Sequence, residues 1–356
     1  MNRFESILKQ KIEVGTEGTL NSITPGLKLR AYERGRLKGE LKFGKVYRFY
    51  DLASLTKILF TVPVTMRLVE QGKLKPSRPM IDYLPWFPSE SVTVKDVLSH
   101  SAGLPWWAPF YSKLSGPIGP VYRWRQLESH LRKVKTDPKG QAVYSDLDFL
   151  MLGMMIENQL GLPLEAIWDD FRKTLKIPRL SLHFNKGNEP KYLRKFYAPT
   201  EKCSWRGKTL QGEVHDENSW SLGGVAPHAG LFGTIEDVSQ WGLLLRKSFL
   251  DTKGSKLISQ KTLRRFARRA IPKSKGDWAM GFMLPSKGKA SCGKYFSSQS
   301  FGHTGFTGTS LWFDPRRDLL VVILSNRVHP TRENSRFVGL RPQLHDWIVE
   351  SLEEIS

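Results

Sequence analysis

Cysteine is scarce in this chain: Cys203 and Cys292 are the only two in 356 residues. Two cysteines so far apart in a long chain form no disulfide framework, and both are expected to be unpaired thiols. No run approaches the ~18 apolar residues of a membrane helix, so no membrane span is expected. Residues 1–20 lack the apolar segment of a secretory signal and carry Arg3, Glu5, Lys9, Lys11, Glu13 and Glu17 instead. The expected location is therefore the cytoplasm. Acidic residues are also in short supply, 34 against 55 Lys and Arg, which leaves a net charge of +21. Such a field steers polyanions or carboxylate-bearing substrates. Nucleic acid is the rival partner, but no nucleic-acid motif or regular basic–aromatic interleaving accompanies the charge, and none is expected to bind. No His/Cys/Asp/Glu cluster has metal-ligand spacing; His215-Asp216-Glu217 is too compact to ligate jointly from one strand or helix. Neither a metal nor a cofactor is expected.

Hydrophobic residues make up 40% and charged residues 25%, ordinary values for a soluble enzyme with a sizeable core. Residues 27–33 and 42–49 read as strands of a hairpin or meander around residues 34–39. Residues 52–72 read as a helix with a kink or break near Pro63 and an end at Gly72. From there to about 280 the pattern is helical patches joined by Pro- and Gly-rich loops, with helices over 94–99, 123–133, 146–160, 164–174, 235–249 and 259–270. Strand patterns return at 277–283, 297–303, 309–314 and 319–325. The run Leu319-Leu320-Val321-Val322-Ile323-Leu324 is apolar throughout, as a central strand requires. An amphipathic helix over 336–353 follows. Strands at both ends with helices between predict an α+β fold. Residues 20–50 and 277–356 would form one antiparallel sheet, flanked by helices, with residues 51–276 as a mostly helical insertion in a single catalytic domain spanning 1–356.

The densest chemistry lies in Ser54-Leu55-Thr56-Lys57. A hydroxyl and an amine three residues apart share one helix face. A serine at a helix N-terminus meets unpaired N–H groups and the positive end of the dipole, which favour an oxyanion. A lysine held close and desolvated can lose its proton and activate the serine. The same four residues would equally suit a capping Ser and a solvated Lys. Tyr144-Ser145-Asp146 opens an apolar stretch, and His303-Thr304-Gly305 precedes a strand-like run. These three segments, in this order and at these separations, resemble the serine β-lactamase and penicillin-binding-protein superfamily, most closely its class C-like branch of esterases, peptidases and transpeptidase relatives. Leu98-Ser99-His100-Ser101-Ala102-Gly103-Leu104-Pro105 is similar to a loop of that branch. A narrower resemblance lies in Val214-His215-Asp216-Glu217-Asn218, His228-Ala229-Gly230-Leu231-Phe232 and Asn326-Arg327-Val328-His329-Pro330. These segments look like the cell-wall-recycling subgroup, some members of which release peptides from N-acetylmuramic acid.

The resemblance implies Ser54 as nucleophile, Lys57 as proton acceptor or modulator of a neighbouring base, and Tyr144 as phenolate base, if cationic neighbours favour its ionised form. It matches the oxyanion hole to the backbone N–H groups of Ser54 and Phe306, and substrate contacts to Asp146, His303, Thr304 and Gly305. Asp146 stands where many relatives carry Asn; it either alters amide recognition or caps the following helix. His303 replaces the more common Lys, which weakens carboxylate binding of the penicillin type. Gly305 and Gly308 would let backbone approach a ligand closely. His215, Asp216, His228 and Arg327 are either substrate contacts or structural, and His100 fits a loop-fixing role. Trp106, Trp107, Phe110 and Tyr111 either wall the cleft or pack a loop. The expected activity is an SxxK serine hydrolase cleaving amides of muropeptides, small-molecule substrates derived from peptidoglycan, in the manner of an N-acetylmuramoyl-L-alanine amidase. The alternatives are a carboxylesterase, a β-lactamase or D-Ala-D-Ala carboxypeptidase, and a catalytically silent binding protein.

Overall fold

The central strand of the sheet is apolar at every position because it is covered on both faces. This strand, Leu319–Ser325, is buried along its whole length and pairs antiparallel with strands on either side. In a computed structural model, which describes residues 2–251 and 257–355, the strands are β1 Gly26–Glu33, β2 Arg36–Gly44, β3 Tyr50–Asp51, β4 His183–Phe184, β5 Lys202–Cys203, β6 Lys208–Thr209, β7 Leu231–Gly233, β8 Phe301–Thr304, β9 Ser310–Asp314 and β10 Leu319–Ser325. The main sheet runs β2-β1-β10-β9-β8, all antiparallel. The fold is α+β, with antiparallel sheets flanked by helices, as β-lactamase-like architecture requires.

Side chains alternate across β10. Leu319, Val321 and Ile323 join a core with Phe4, Leu8 and Ile12 of the helix Arg3–Gly15 and with Leu344 and Ile348 of the helix Arg336–Glu353. Leu320, Val322 and Leu324 face the other way, into the large core shared with Trp241, Leu245 and the helix Asp146–Leu160. The helical region is thus bound to the sheet by the strand's second face. Both cysteines are buried and free.

Several boundaries differ from the sequence reading. The β1–β2 turn is Arg34-Gly35, both at positive φ (51° and 75°), so β2 starts at residue 36 instead of 42 and ends at Gly44. Residues 277–283 are not a strand. Gly281 at φ 85° turns that segment back on itself, leaving only the bridges Trp278–Met283 and Met283–Gly302. β8 begins at Phe301 because Ser297 binds the Asp314 carboxylate through its N–H and Oγ, and Ser300 N–H closes a turn onto Ser297 O. The helix after Ser54 contains a wide turn, Lys57–Thr61, before the regular α-helix Val62–Glu70. Pro63 thereby falls in the first turn of the regular segment, where its missing N–H matters least. The helix expected at 123–133 is Pro120–Leu131, and that expected at 259–270 is Gln260–Ala267, capped by Ser259. The helix Arg3–Gly15, closed by an Asn2/Glu5 capping box, was not foreseen. Nor was the small sheet β3-β7-β4 inside the region read as helical. That sheet positions the site, because β3 delivers the chain to Ser54.

Candidate active site

Immediately before Ser54 the backbone is strained. Ala53 lies at φ 46°, a left-handed conformation that non-glycine residues rarely adopt. The buried Asp51 carboxylate holds the turn: Oδ1 accepts the Ala53 N–H at 2.8 Å and Oδ2 accepts the His215 N–H at 2.7 Å. Thr307 Oγ1 donates to Asp51 O at 2.7 Å and Thr309 Oγ1 to Leu52 O at 3.1 Å, tying the loop after β8 to the same turn. A Cβ on Gly305 would lie 2.1 Å from Thr309 Oγ1 and 2.7 Å from Leu52 O. The close approach expected at Gly305 is therefore required first by the protein's own backbone. At Gly308 the reason is φ 109° together with Ser325 Oγ, 2.9 Å from where a Cβ would stand.

Ser54 Oγ lies 2.6 Å from Tyr144 OH and 2.9 Å from Lys57 Nζ. Lys57 Nζ also donates to Asp146 Oδ1 at 2.7 Å and to His228 O at 3.1 Å. Lys57 is fully buried, so the bland reading of a solvated surface lysine is excluded. Burial pushes its ammonium below the ordinary lysine value, against Asp146 and Asp216, whose charges hold it up. Burial also pushes the Tyr144 hydroxyl well above its ordinary value, and Asp146 adds to that shift. The condition for a resting phenolate is thus opposed, although the Lys57 ammonium lies 5.0 Å from the Tyr144 ring. Neither the Ser54 nor the Phe306 N–H makes a hydrogen bond among the described residues.

Asp146 does not cap its helix. Ser145 does, accepting the Asp148 N–H, while Asp146 points to Lys57. Asp216 caps the short helix Glu217–Ser221 and meets His228 Nε2 at 2.9 Å. Its carboxyl is held well below the usual range: burial opposes this, and the His228 imidazole overcomes it. Sequence spacing gave no cation site, yet folding brings ligand atoms of Asp146, Asp216 and His228 within 4.8 Å of one another, with the Lys57 charge against Asp146.

His303 is buried, with Nδ1 2.7 Å from Thr304 O. Burial first, then the Lys57 charge, pushes its imidazole down to about 3, so it is neutral at physiological pH. Thr304 Oγ1 contacts Met283 Sδ at 3.7 Å. Arg327 is not a free guanidinium: Nε donates to Phe306 O at 2.9 Å, and Nη1 to Asn334 O at 2.8 Å and Arg332 O at 3.3 Å. It holds the Phe306 peptide in place. The His215 ring stacks on Phe306 at 5.5 Å, and His215 Nε2 lies 3.2 Å from Glu201. His100, at φ 56°, binds the Ser145 N–H and lies 2.8 Å from Asp148 Oδ2, so it fixes the Tyr144 turn.

Sequence reasoning missed several contributors. Asp51 and Ala53 shape the serine turn, Trp278 lies 5.8 Å from the Tyr144 ring, and Arg341 is buried behind Gly305 O at 3.5 Å. Burial, and then Arg327, pushes the Arg341 guanidinium down to about 10. The only early signal was Asp51 itself, an acidic residue in an otherwise apolar stretch three positions before Ser54.

A family model described as Beta-lactamase matches residues 25–341. A protein of Salmonella gallinarum named "Putative D-alanyl-D-alanine carboxypeptidase" is 31% identical over 346 residues, covering 85% of this chain and 76% of the relative. Among solved structures the fold is similar to EstCE1, described as a hydrolase with promiscuous acyltransferase activity. That match has a TM-score of 0.69 at 19% identity and covers 97% of this chain and 99% of that one. It is also similar to a penicillin-binding-protein homologue from Caulobacter crescentus, with a TM-score of 0.69 at 19% identity, covering 99% and 98%.

Proposed function

We propose, from the premise that the chain belongs to the Beta-lactamase family, that this hydrolase cleaves amide bonds of peptidoglycan-derived muropeptides through an acyl-enzyme at Ser54. One observation carries the reading: Ser54 Oγ sits between Lys57 Nζ at 2.9 Å and Tyr144 OH at 2.6 Å. The N–H groups of Ser54 and Phe306, without a hydrogen-bond partner among the described residues, support the reading as candidate oxyanion donors.

The pKa directions divide the work. Burial favours a neutral Lys57, which donates two hydrogens, to Asp146 and His228 O, and accepts the Ser54 proton. Ser54 Oγ attacks the carbonyl as its proton passes to Lys57, and the ammonium formed is held by Asp146. Tyr144, which burial keeps protonated, gives its proton to the leaving amine as the C–N bond breaks. The resulting phenolate lies beside the new ammonium and takes a proton from water as that water attacks the acyl-enzyme. Lys57 returns its proton to Ser54 Oγ as the ester bond breaks, and the cycle closes.

The bond proposed is that between the lactyl group of N-acetylmuramic acid and L-alanine. The segments at His215–Asn218, His228–Phe232 and Asn326–Pro330 support it, as does the net charge of +21, which attracts ligands bearing several carboxylates. A second reading, release of terminal D-alanine, is favoured by the name of the Salmonella relative. Chromatography of products from a purified muramoyl tetrapeptide decides between them. Free N-acetylmuramic acid and an intact peptide are expected. Release of D-alanine with the lactyl amide intact would favour the carboxypeptidase, and brisk ester cleavage with no amide cleavage would favour an esterase.

A further inference from the structure

A buried cation without a counter-charge stands behind the loop that carries Phe306. Arg341 is 5% exposed, and no carboxylate supports its charge: burial and the neighbouring Arg327 both act against it. Its Nη2 reaches Gly305 O at 3.5 Å, and its Nε has no hydrogen-bond partner among the described residues. The acidic residues of its own helix, Arg336–Glu353, are engaged elsewhere. Asp346 accepts the Lys294 N–H at 2.7 Å, Glu350 pairs with Lys11 and Glu353 with Arg317. On β9, Asp314 accepts the N–H and Oγ–H of Ser297.

Further unpartnered polar groups gather on the same side. His345 follows Arg341 by one helical turn, so the two share a face. It is fully buried, and neither of its ring nitrogens has a partner among the described residues. Ser310 and Trp312 lie on one face of β9. Trp312 packs in one core with Phe337, Leu340 and Leu344 of the helix, so that face looks towards it. Ser310 Oγ and Trp312 Nε1 are likewise buried without partners. Phe296, beside the Ser297 that binds Asp314, stands edge-on to the His345 ring at 5.3 Å. At the other end Gly305 N–H donates to Thr309 O at 2.7 Å, so Arg341 meets the β8–β9 turn just before Ser310.

The set is one of donors around a positive charge. Arg341, lowered only to about 10, stays charged at physiological pH. Burial, and then Arg341, pushes the His345 imidazole down to about 3, so it is neutral and keeps one N–H to donate. A buried guanidinium is costly unless an opposite charge meets it. Water would serve the donors and leave the charge unmet. A phosphate has more acceptor oxygens than these groups can serve and more charge than one guanidinium offsets.

We propose that Arg341, His345, Ser310 and Trp312 form a buried site for one small monovalent anion of halide size, behind the Gly305 turn. The anion neutralises Arg341 and braces it against Gly305 O, while Arg327 holds Phe306 O from its own side. The site is independent of which amide or ester the enzyme cleaves.

The test uses the full chain at constant ionic strength, with sodium gluconate, too large for the site, exchanged stepwise for sodium chloride or bromide. A saturable rise in unfolding temperature of roughly 2–4 °C is expected, as for a ligand that binds only the folded state. kcat/KM for a small ester should rise over the same concentrations. The net charge of +21 also draws anions to the surface, so the effect has to be located. Arg341→Met keeps the bulk and removes the charge, and should unfold at the same temperature in gluconate and in chloride. Anomalous scattering from wild-type crystals grown in bromide needs no variant, and should show a peak within hydrogen-bond reach of Arg341 Nε. No halide-specific rise, a rise that persists in full in Arg341→Met, or bromide found only elsewhere would overturn the site. A rise in unfolding temperature with unchanged kcat/KM would keep the anion and remove its hold on the turn.

Discussion

Lys57 Nζ and Asp146 Oδ1 are 2.7 Å apart, with the lysine side chain fully buried. The pair joins two opposing influences on one proton: burial drives Lys57 toward the neutral base, and the carboxylate draws it back toward ammonium. Asp146 therefore governs the pH at which the base form appears. Replacing Asp146 by Asn removes an influence that raises the lysine, so Lys57 should lose its proton at lower pH. The rising limb of the kcat/KM profile on a small ester should move to lower pH. The plateau should fall roughly tenfold, because the ammonium of the transition state loses its partner. An unmoved limb would show that Lys57 is not the titrating base.

Lys57→Ala and Tyr144→Phe should each lower the acylation rate by about 10²-fold or more, as loss of an acid–base group does. Combined, they should cost much less than the product of the two, since Tyr144 protonates the leaving amine within the same acylation that Lys57 begins, and neither transfer is productive without the other. Stopped-flow acylation of the single and double variants measures this. Multiplicative losses would mean that the two side chains act on separate steps.

β-Lactams should be poor substrates. His303 stands where a lysine is more common and is held neutral, and Arg327 is tied through Nε to Phe306 O and through Nη1 to Asn334 O and Arg332 O. A β-lactam carboxylate therefore meets no cation at His303 and, at Arg327, a guanidinium already fixed to backbone carbonyls. Cephalosporin turnover is the assay; hydrolysis as fast as that of the preferred amide would contradict this account of His303 and Arg327.

The Glu201 carboxyl sits at about 2 because His215 and Arg332 bind it strongly enough to overcome burial, which alone would raise it. A depressed carboxyl stabilises the folded state fully above its unfolded value of 4.5, and that stability is lost as pH falls toward about 2. Glu201→Gln should therefore flatten the fall of the unfolding temperature in that acid window. Solvent screening of this partly exposed group limits the effect to roughly a few degrees. An identical acid slope in the variant would remove Glu201 from the account.

What was legible in the sequence was local. Ser54 and Lys57 share a face because they are one helical turn apart, and the all-apolar run at 319–324 marks a strand covered on both sides. Contacts across long separations were not legible. His228 O meets Lys57 Nζ across 171 residues, and no periodicity announces a carbonyl. Strands of two residues, such as Tyr50–Asp51 and His183–Phe184, are too short to show alternation, so the small sheet behind Ser54 went unseen. At the start of its own helix, Asp146 reads from sequence either as a substrate contact or as a helix cap. Its actual partner is a lysine 89 residues away, reached only because Ser145 takes the capping role.

The central claim is that Ser54 carries the acyl group, and intact-protein mass spectrometry followed by peptide mapping after exposure to a fluorophosphonate tests it most directly. The account predicts one adduct, on the peptide containing Ser54, absent from Ser54→Ala protein that unfolds at the same temperature as wild type. An adduct that maps elsewhere, or one that persists in Ser54→Ala, would contradict it.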